Sequence, residues 1–148
     1  MRTLVTFRST AFNTTKPKDY FINPGCFGDD VAKWFIGELR ANGIETDKEP
    51  AQEDFGWYFN FLIPEGKHCL VVGFRPGDDK EEGAWIAWLE RSRSFVGSLL
   101  GARKRGISST AVSAIHQALS GSSKIRDIRW HVESDFHKGN EDAGSPTP

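Results

Sequence analysis

The stretch from Trp57 to Arg91 constrains the fold most, because it reads as three consecutive β-strands. In Trp57 to Ile63, the side chains of Trp57, Phe59, Phe61 and Ile63 share one face and those of Tyr58, Asn60 and Leu62 the other, the two-residue period of a strand. Pro64-Glu65-Gly66-Lys67 has the residues of a tight turn, so His68 to Arg75 is predicted to return antiparallel as a hairpin. An acidic loop, Pro76 to Gly83, leads to Ala84 to Arg91, where Trp85, Ala87 and Leu89 oppose Ile86 and Trp88. Bulky apolar groups on both faces exceed what a one-sided sheet needs. Either this strand is central and covered on both sides, or one aromatic face is open to a partner.

The flanking segments supply helices for that sheet. Thr3 to Phe7 reads as a first strand, followed by a polar segment from Ser9 to Asn23 of the length that tends to be functional or poorly ordered. Asp29 or Asp30 opens a helix running to about Asn42, with Val31, Phe35 and Leu39 at successive i+4 positions and Gly43 placed to end it. Residues Ser94 to Arg105 suggest a short helix with a basic end. Ser108 or Ser109 caps a further helix whose apolar face is Ala111, Val112, Ile115, Ala118 and Leu119, with Gly121 closing it. Lys124 to Val132 reads as a last strand, with Ile128, Trp130 and Val132 on one face. The order predicts an α+β two-layer sandwich: a mostly antiparallel sheet of about five strands with two main helices on one face, one form of which is a ferredoxin-like variant with an added strand. A single domain is expected over residues 1–138 and a disordered tail over 139–148.

Charge and composition exclude several classes. Of 148 residues, 38% are hydrophobic, including 11 Phe and 5 Trp, which is the make-up of a folded chain with an aromatic core. A formal charge of -1 argues against a general nucleic-acid binder. The balance is uneven, with 10 basic against 15 acidic residues over 1–90 and 9 against 5 over 91–148, which fits two halves attracting each other within the fold. The basic group Arg91, Arg93, Arg103, Lys104 and Arg105, beside Trp85, Trp88 and Phe95, has the parts of a single-strand binder, yet the acidic Asp78 to Glu82 would repel a phosphate backbone. No apolar stretch has the length of a secretory signal or a membrane span, so a cytoplasmic protein is expected, with Cys26 and Cys69 as thiols.

No constellation identifies a catalyst, and no catalytic residue, metal or cofactor is assigned. Cys26 precedes a helix N-terminus, where a dipole lowers a thiol pKa, but Asp29 and Asp30 occupy that end and oppose a thiolate. His131, Glu133, Asp135 and His137 gather at a strand end without zinc spacing, and no phosphate-loop or nucleophile-elbow pattern occurs. Adjacent carboxylates on a turn, as at Glu53 and Asp54, usually diverge rather than act as an acid-base pair. The remaining feature is recognition: Glu53, Asp54, Trp57, Tyr58 and Trp88 form the expected mouth of a site for a small molecule or another protein chain, a second copy included. An enzyme using Cys26 or the Glu53/Asp54 carboxylates, and a nucleic-acid binder using the basic group, are the alternatives.

Phe27-Gly28-x-Asp30-x-Ala32-x-Trp34, followed by Glu53-Asp54-x-Gly56-Trp57-x-Phe59, resembles a pattern in a group of small uncharacterised bacterial proteins, similar in type to products of mobile gene cassettes. The resemblance covers roughly residues 22–90 and implies no activity, cofactor or catalytic residue.

Overall fold

A computed structural model describes residues 1–92 and 106–148. The helix predicted over 94–105, and with it Arg93, Arg103, Lys104 and Arg105, lies outside the described residues. The chain forms β1 (Leu4–Arg8), α1 (Asp29–Ala41), β2 (Glu45–Thr46), β3 (Ala51–Glu53), β4 (Gly56–Ile63), β5 (Gly66–Arg75), β6 (Ala84–Arg91), α2 (Ser109–Ser120), β7 (Arg126–His131) and α3 (Glu133–His137), then a single 3₁₀ turn, Glu141–Ala143. The strands make one sheet in the order β2-β4-β5-β6-β1-β7, with β3 also on β4 and every pairing antiparallel. The run β7-β1-β6-β5 has the ferredoxin-like order, and β4 is the added strand at its edge.

Two of the seven strands among the described residues escape the sequence period because they are too short to show one. β2 and β3 both pair with β4, and the chain between them leaves the ladder. Asp47 bridges that gap: its carboxylate accepts from the Asn60 backbone N–H at 2.8 Å and side-chain amide at 3.0 Å, and its own N–H donates to the Asn60 carbonyl.

The alternation read from the sequence becomes two distinct faces. On one, Val5, Phe7, Trp57, Phe59, Phe61, Leu70, Val72, Trp85, Ala87, Leu89 and Trp130 meet the buried stripes of both long helices, Val31, Phe35 and Leu39 from α1 and Ala111, Ile115 and Leu119 from α2. The other face carries Leu4, Cys69 and Val71, all buried, with Tyr58, Ile86 and Trp88 half-buried. β6 lies between β5 and β1, so it is central, and its two tryptophans divide between the faces.

Helix α1 starts one residue earlier than an aspartate cap would place it. Its N-cap is Gly28, at φ 135°, where an added Cβ would press on the Val72 carbonyl and the Trp57 ring. Asp29 therefore enters the first turn and is buried rather than capping it. At the other end Gly43, at φ 79°, supplies the left-handed residue that ends the helix. The tail expected to be disordered from Gly139 instead follows the sheet edge: Trp130 and Ser145 exchange backbone hydrogen bonds at 2.6 and 2.8 Å. β7 is the outermost strand, and its free edge supplies the donors and acceptors that the tail takes up.

Buried His68 joins β5 to α2 and makes stability pH-dependent. Its Nε2 accepts from the backbone N–H of Ser108, the N-cap of α2, at 3.1 Å, so Nδ1 carries the proton and donates to the Gly66 carbonyl at 3.0 Å. Burial holds the ring's pKa below its ordinary 6.5 and Arg91 pushes the same way, against the Gly66 hydrogen bond and Glu65. As pH falls below 6.5 the unfolded chain takes a proton that the native ring refuses, so stability present above that pH is lost. The urea midpoint is expected to fall between about pH 7.5 and pH 5, above the carboxylate range, and His68→Gln should flatten that slope. An unchanged slope in the variant would assign the effect elsewhere, His131 being the other histidine held low by burial.

Candidate functional site

The five residues of the predicted mouth do not meet. Glu53 ends β3, Asp54 and Phe55 make the turn, and Gly56 begins β4, so the two carboxylates border a shallow depression of about 250 Å³ with Ile22, Asn23 and Gln52. Trp57 points to the helical face, 4% exposed, and donates from Nε1 to the Cys26 carbonyl at 2.8 Å. Tyr58 and Trp88 lie on the other face, in one row with Val71 and Leu4, and the exposed Phe55 packs on Trp88 at 5.9 Å. One residue of offset along a strand decides the side, and it separates Trp57 from its neighbour.

The other sequence candidates are occupied structurally. Cys26 is half-buried with its thiol toward the Glu53 carbonyl at 3.8 Å; burial pushes the thiol pKa up and Asp54 adds to this, against a hydrogen bond from Gln52. The thiolate an enzymatic reading needs is therefore disfavoured. Arg91, the one described member of the basic group, donates to the Glu65 carbonyl at 3.2 Å and lies along the His68 ring. The predicted strand to Val132 stops at His131, and Val132 instead caps α3, so Glu133 and Asp135 leave the strand and Glu133 faces His137 at 3.3 Å. Among the described residues no group of three His, Cys, Asp or Glu is placed to hold a metal ion, and no helix is long and apolar enough to cross a membrane. The attraction between acidic and basic halves appears in the Glu82–Arg126 pair, whereas Arg75 with Glu141 and Arg8 with Asp127 pair a cation of the first half with an anion of the second.

The segment 9–23 is tied down around Asp29. Its buried carboxylate takes the Tyr20 hydroxyl and the Lys18 ammonium at 3.2 Å, with Lys33 at 3.9 Å. Asp30 accepts from the Asn13 N–H at 2.7 Å, and Gln52 accepts from the Ile22 N–H and donates to the Asn23 carbonyl. These contacts fix the loop against the start of α1 and against β3.

A site that sequence reasoning did not assemble lies at the end of β1, β6 and β7 under the C-terminal segment. It is a cleft of about 320 Å³ whose lining includes Thr6, Arg8, Arg75, Arg129, His131 and Glu141. Arg75 of β5, Arg8 of β1 and Arg129 of β7 come to its walls, while β6 contributes only Ala84, and that small side chain leaves the depression between them. Glu141 grips Arg75 with both oxygens, at 2.5 and 3.0 Å. Arg8 stands 3.5 Å from Asp127, and Arg129, which is exposed, has no ion pair among the described residues.

His131 forms the buried wall of this cleft. Nε2 faces the Thr6 hydroxyl at 3.0 Å, and Nδ1 is buried without a hydrogen-bond partner. A buried lone pair is cheaper to leave unpaired than a buried N–H, which places the proton on Nε2 and makes Thr6 Oγ1 the acceptor. The threonine hydroxyl proton is then free to donate elsewhere. Burial holds the ring's pKa below the usual 6.5; Glu141 opposes this, and Arg129, Arg75 and Arg2 reinforce it. Backbone irregularity concentrates at the same place: β1 and β7 slip register between Thr6 and Arg8, and Asp127 has φ 54°, alone in positive φ among the described non-glycine residues. Bulges and left-handed residues of this kind gather beside functional sites.

Comparison with protein families, with curated proteins and with solved structures finds no match for this chain.

Proposed function

We propose that this protein is a non-enzymatic binding module that holds a small polar ligand in the cleft under its C-terminal segment. The observation that carries the reading is the convergence of Arg8, Arg75 and Arg129 from three strands on one cleft, beside a buried histidine and a strained aspartate. Convergent polar and charged groups fix the orientation of a ligand in such a site, and guanidiniums do so by paired hydrogen bonds. The raised thiol pKa of Cys26 favours binding over the cysteine-based catalytic alternative.

The test is the native mass of the purified protein against its denatured mass. A non-covalent increment of small-molecule size, lost in Arg129→Gln, is the expected result. A doubled mass with no increment would favour self-association in its place.

A further inference from the structure

From the contacts inside the cleft we infer that its ligand is a small oxyanion, a carboxylate or a phosphate group, and that Glu141 is a tethered stand-in for it. This rests on the cleft being the binding site. Glu141 shows the geometry directly: a carboxylate fits the Arg75 fork with two hydrogen bonds, at 2.5 and 3.0 Å, and it reaches that position from a three-residue turn in the C-terminal segment rather than from the sheet. The pair is about half exposed on both sides, so its net contribution to folding is small and exchange with another anion is cheap.

The rest of the cleft is poised to receive what displaces it. Arg129 stands opposite Thr6 across the β1–β7 ladder and has no ion pair among the described residues. Among the described residues Arg8 has one ion pair, the long one with Asp127 at 3.5 Å. The Thr6 hydroxyl, with His131 Nε2–H already donated to its oxygen, offers a neutral donor at the floor. An oxyanion between Arg75 and Arg129 would collect charge-assisted hydrogen bonds from two strands, where Glu141 reaches only one. A cation would meet Glu141, Asp127 and Asp142, but two of these are engaged by Arg75 and Arg8, and on the sheet side of the lining Arg129 has no ion pair among the described residues.

Backbone amide spectra of the ¹⁵N-labelled full chain, titrated separately with inorganic phosphate and with succinate against chloride at matched ionic strength, decide the matter. Saturable shifts at Thr6, Arg129 and His131 are expected with at least one oxyanion, and which one saturates identifies the group. Because Glu141 competes for the same guanidinium, Glu141→Gln should tighten the apparent Kd by about threefold or more, while Arg129→Gln weakens it. Both positions are exposed, so neither change threatens folding. Shifts no larger than in chloride, or an affinity indifferent to Glu141→Gln, would overturn the inference. If neutral or cationic compounds shift the same amides and oxyanions do not, the ligand class is wrong and the binding cleft stands.

Discussion

Gly56→Ala is expected to lower the stability of the fold by about 3 kcal/mol, the upper range for overpacking a tight interior. A Cβ at position 56 would lie 2.4 Å from the Val72 carbonyl oxygen and 3.1 Å from its carbon. Both are backbone atoms of β5, the strand that pairs with β4 through Trp57 and Val72, so no rotamer change relieves the clash. Relief requires the first residues of β4 to move away, and with them the Glu53–Gly56 hairpin and the Trp57 ring beneath it. Gly37→Ala, in the exposed middle of α1 with nothing within 4 Å of its Cβ, is the matched control, expected to be neutral or to stabilise by up to about 1 kcal/mol. Urea unfolding of the two variants checks both; a Gly56→Ala midpoint equal to wild type would contradict the close approach of β4 to β5.

Asp29→Ala is expected to cost about 2 kcal/mol, because it removes the buried acceptor in α1 that Tyr20 and Lys18 of the segment 9–23 share. The carboxylate is 1% exposed and holds Tyr20, Lys18 and Lys33 on Oδ2, while Oδ1 is buried without a hydrogen-bond partner. The lysines are nearly half exposed and regain water when the aspartate is lost, which keeps the cost below that of breaking a fully buried pair. The loss should be local as well as global: trypsin cleavage after Lys18 is expected to accelerate more than unfolding accounts for. Asn at the same position keeps an acceptor for Tyr20 and should restore part of the stability. Equal cleavage of Asp29→Ala and wild type would show that Phe21 and the Asn13–Asp30 bond hold the segment without Asp29.

Asp29 also marks where local sequence signals stop. As the first acid before an apolar i+4 series it resembles a cap, yet the tight passage of Gly28 against Val72 puts the glycine at the cap and drives the aspartate into the interior. The long elements were legible because each carries its own period: Val31, Phe35 and Leu39 announce α1, and the alternation from Trp57 to Leu89 announces the three central strands. Gly43 and Ser108 act at helix ends as their chemistry suggests. β2 and β3 are hidden because two or three residues show no period, and the ordered tail because it depends on a strand edge that only the assembled sheet creates.

The cleft was illegible for a related reason. Thr6, Arg75, Arg129 and Glu141 are scattered over the whole chain, and only the order β5-β6-β1-β7 brings them together. One signal was present: in β7 the alternation that buries Trp130 turns Arg129 and His131 to the opposite face, where a buried histidine has to find a polar partner. The motif Phe27-Gly28-x-Asp30-x-Ala32-x-Trp34 has a packing explanation instead. Asp30 holds Asn13, Ala32 is buried, and Trp34 packs on Phe12 and Phe35.

Mapping amide shifts across the whole chain during a screen of small polar compounds distinguishes a ligand held under the C-terminal segment from one held at the carboxylate turn or the Tyr58–Trp88 row. Saturable shifts are expected to be confined to Thr6, Arg8, Arg129, His131 and the 141–145 segment, and to be abolished in an Arg75→Gln, Arg129→Gln double variant that remains folded. Shifts centred on Glu53, Asp54 and Phe55, or on Tyr58 and Trp88, with the cleft silent, would contradict binding under the C-terminal segment.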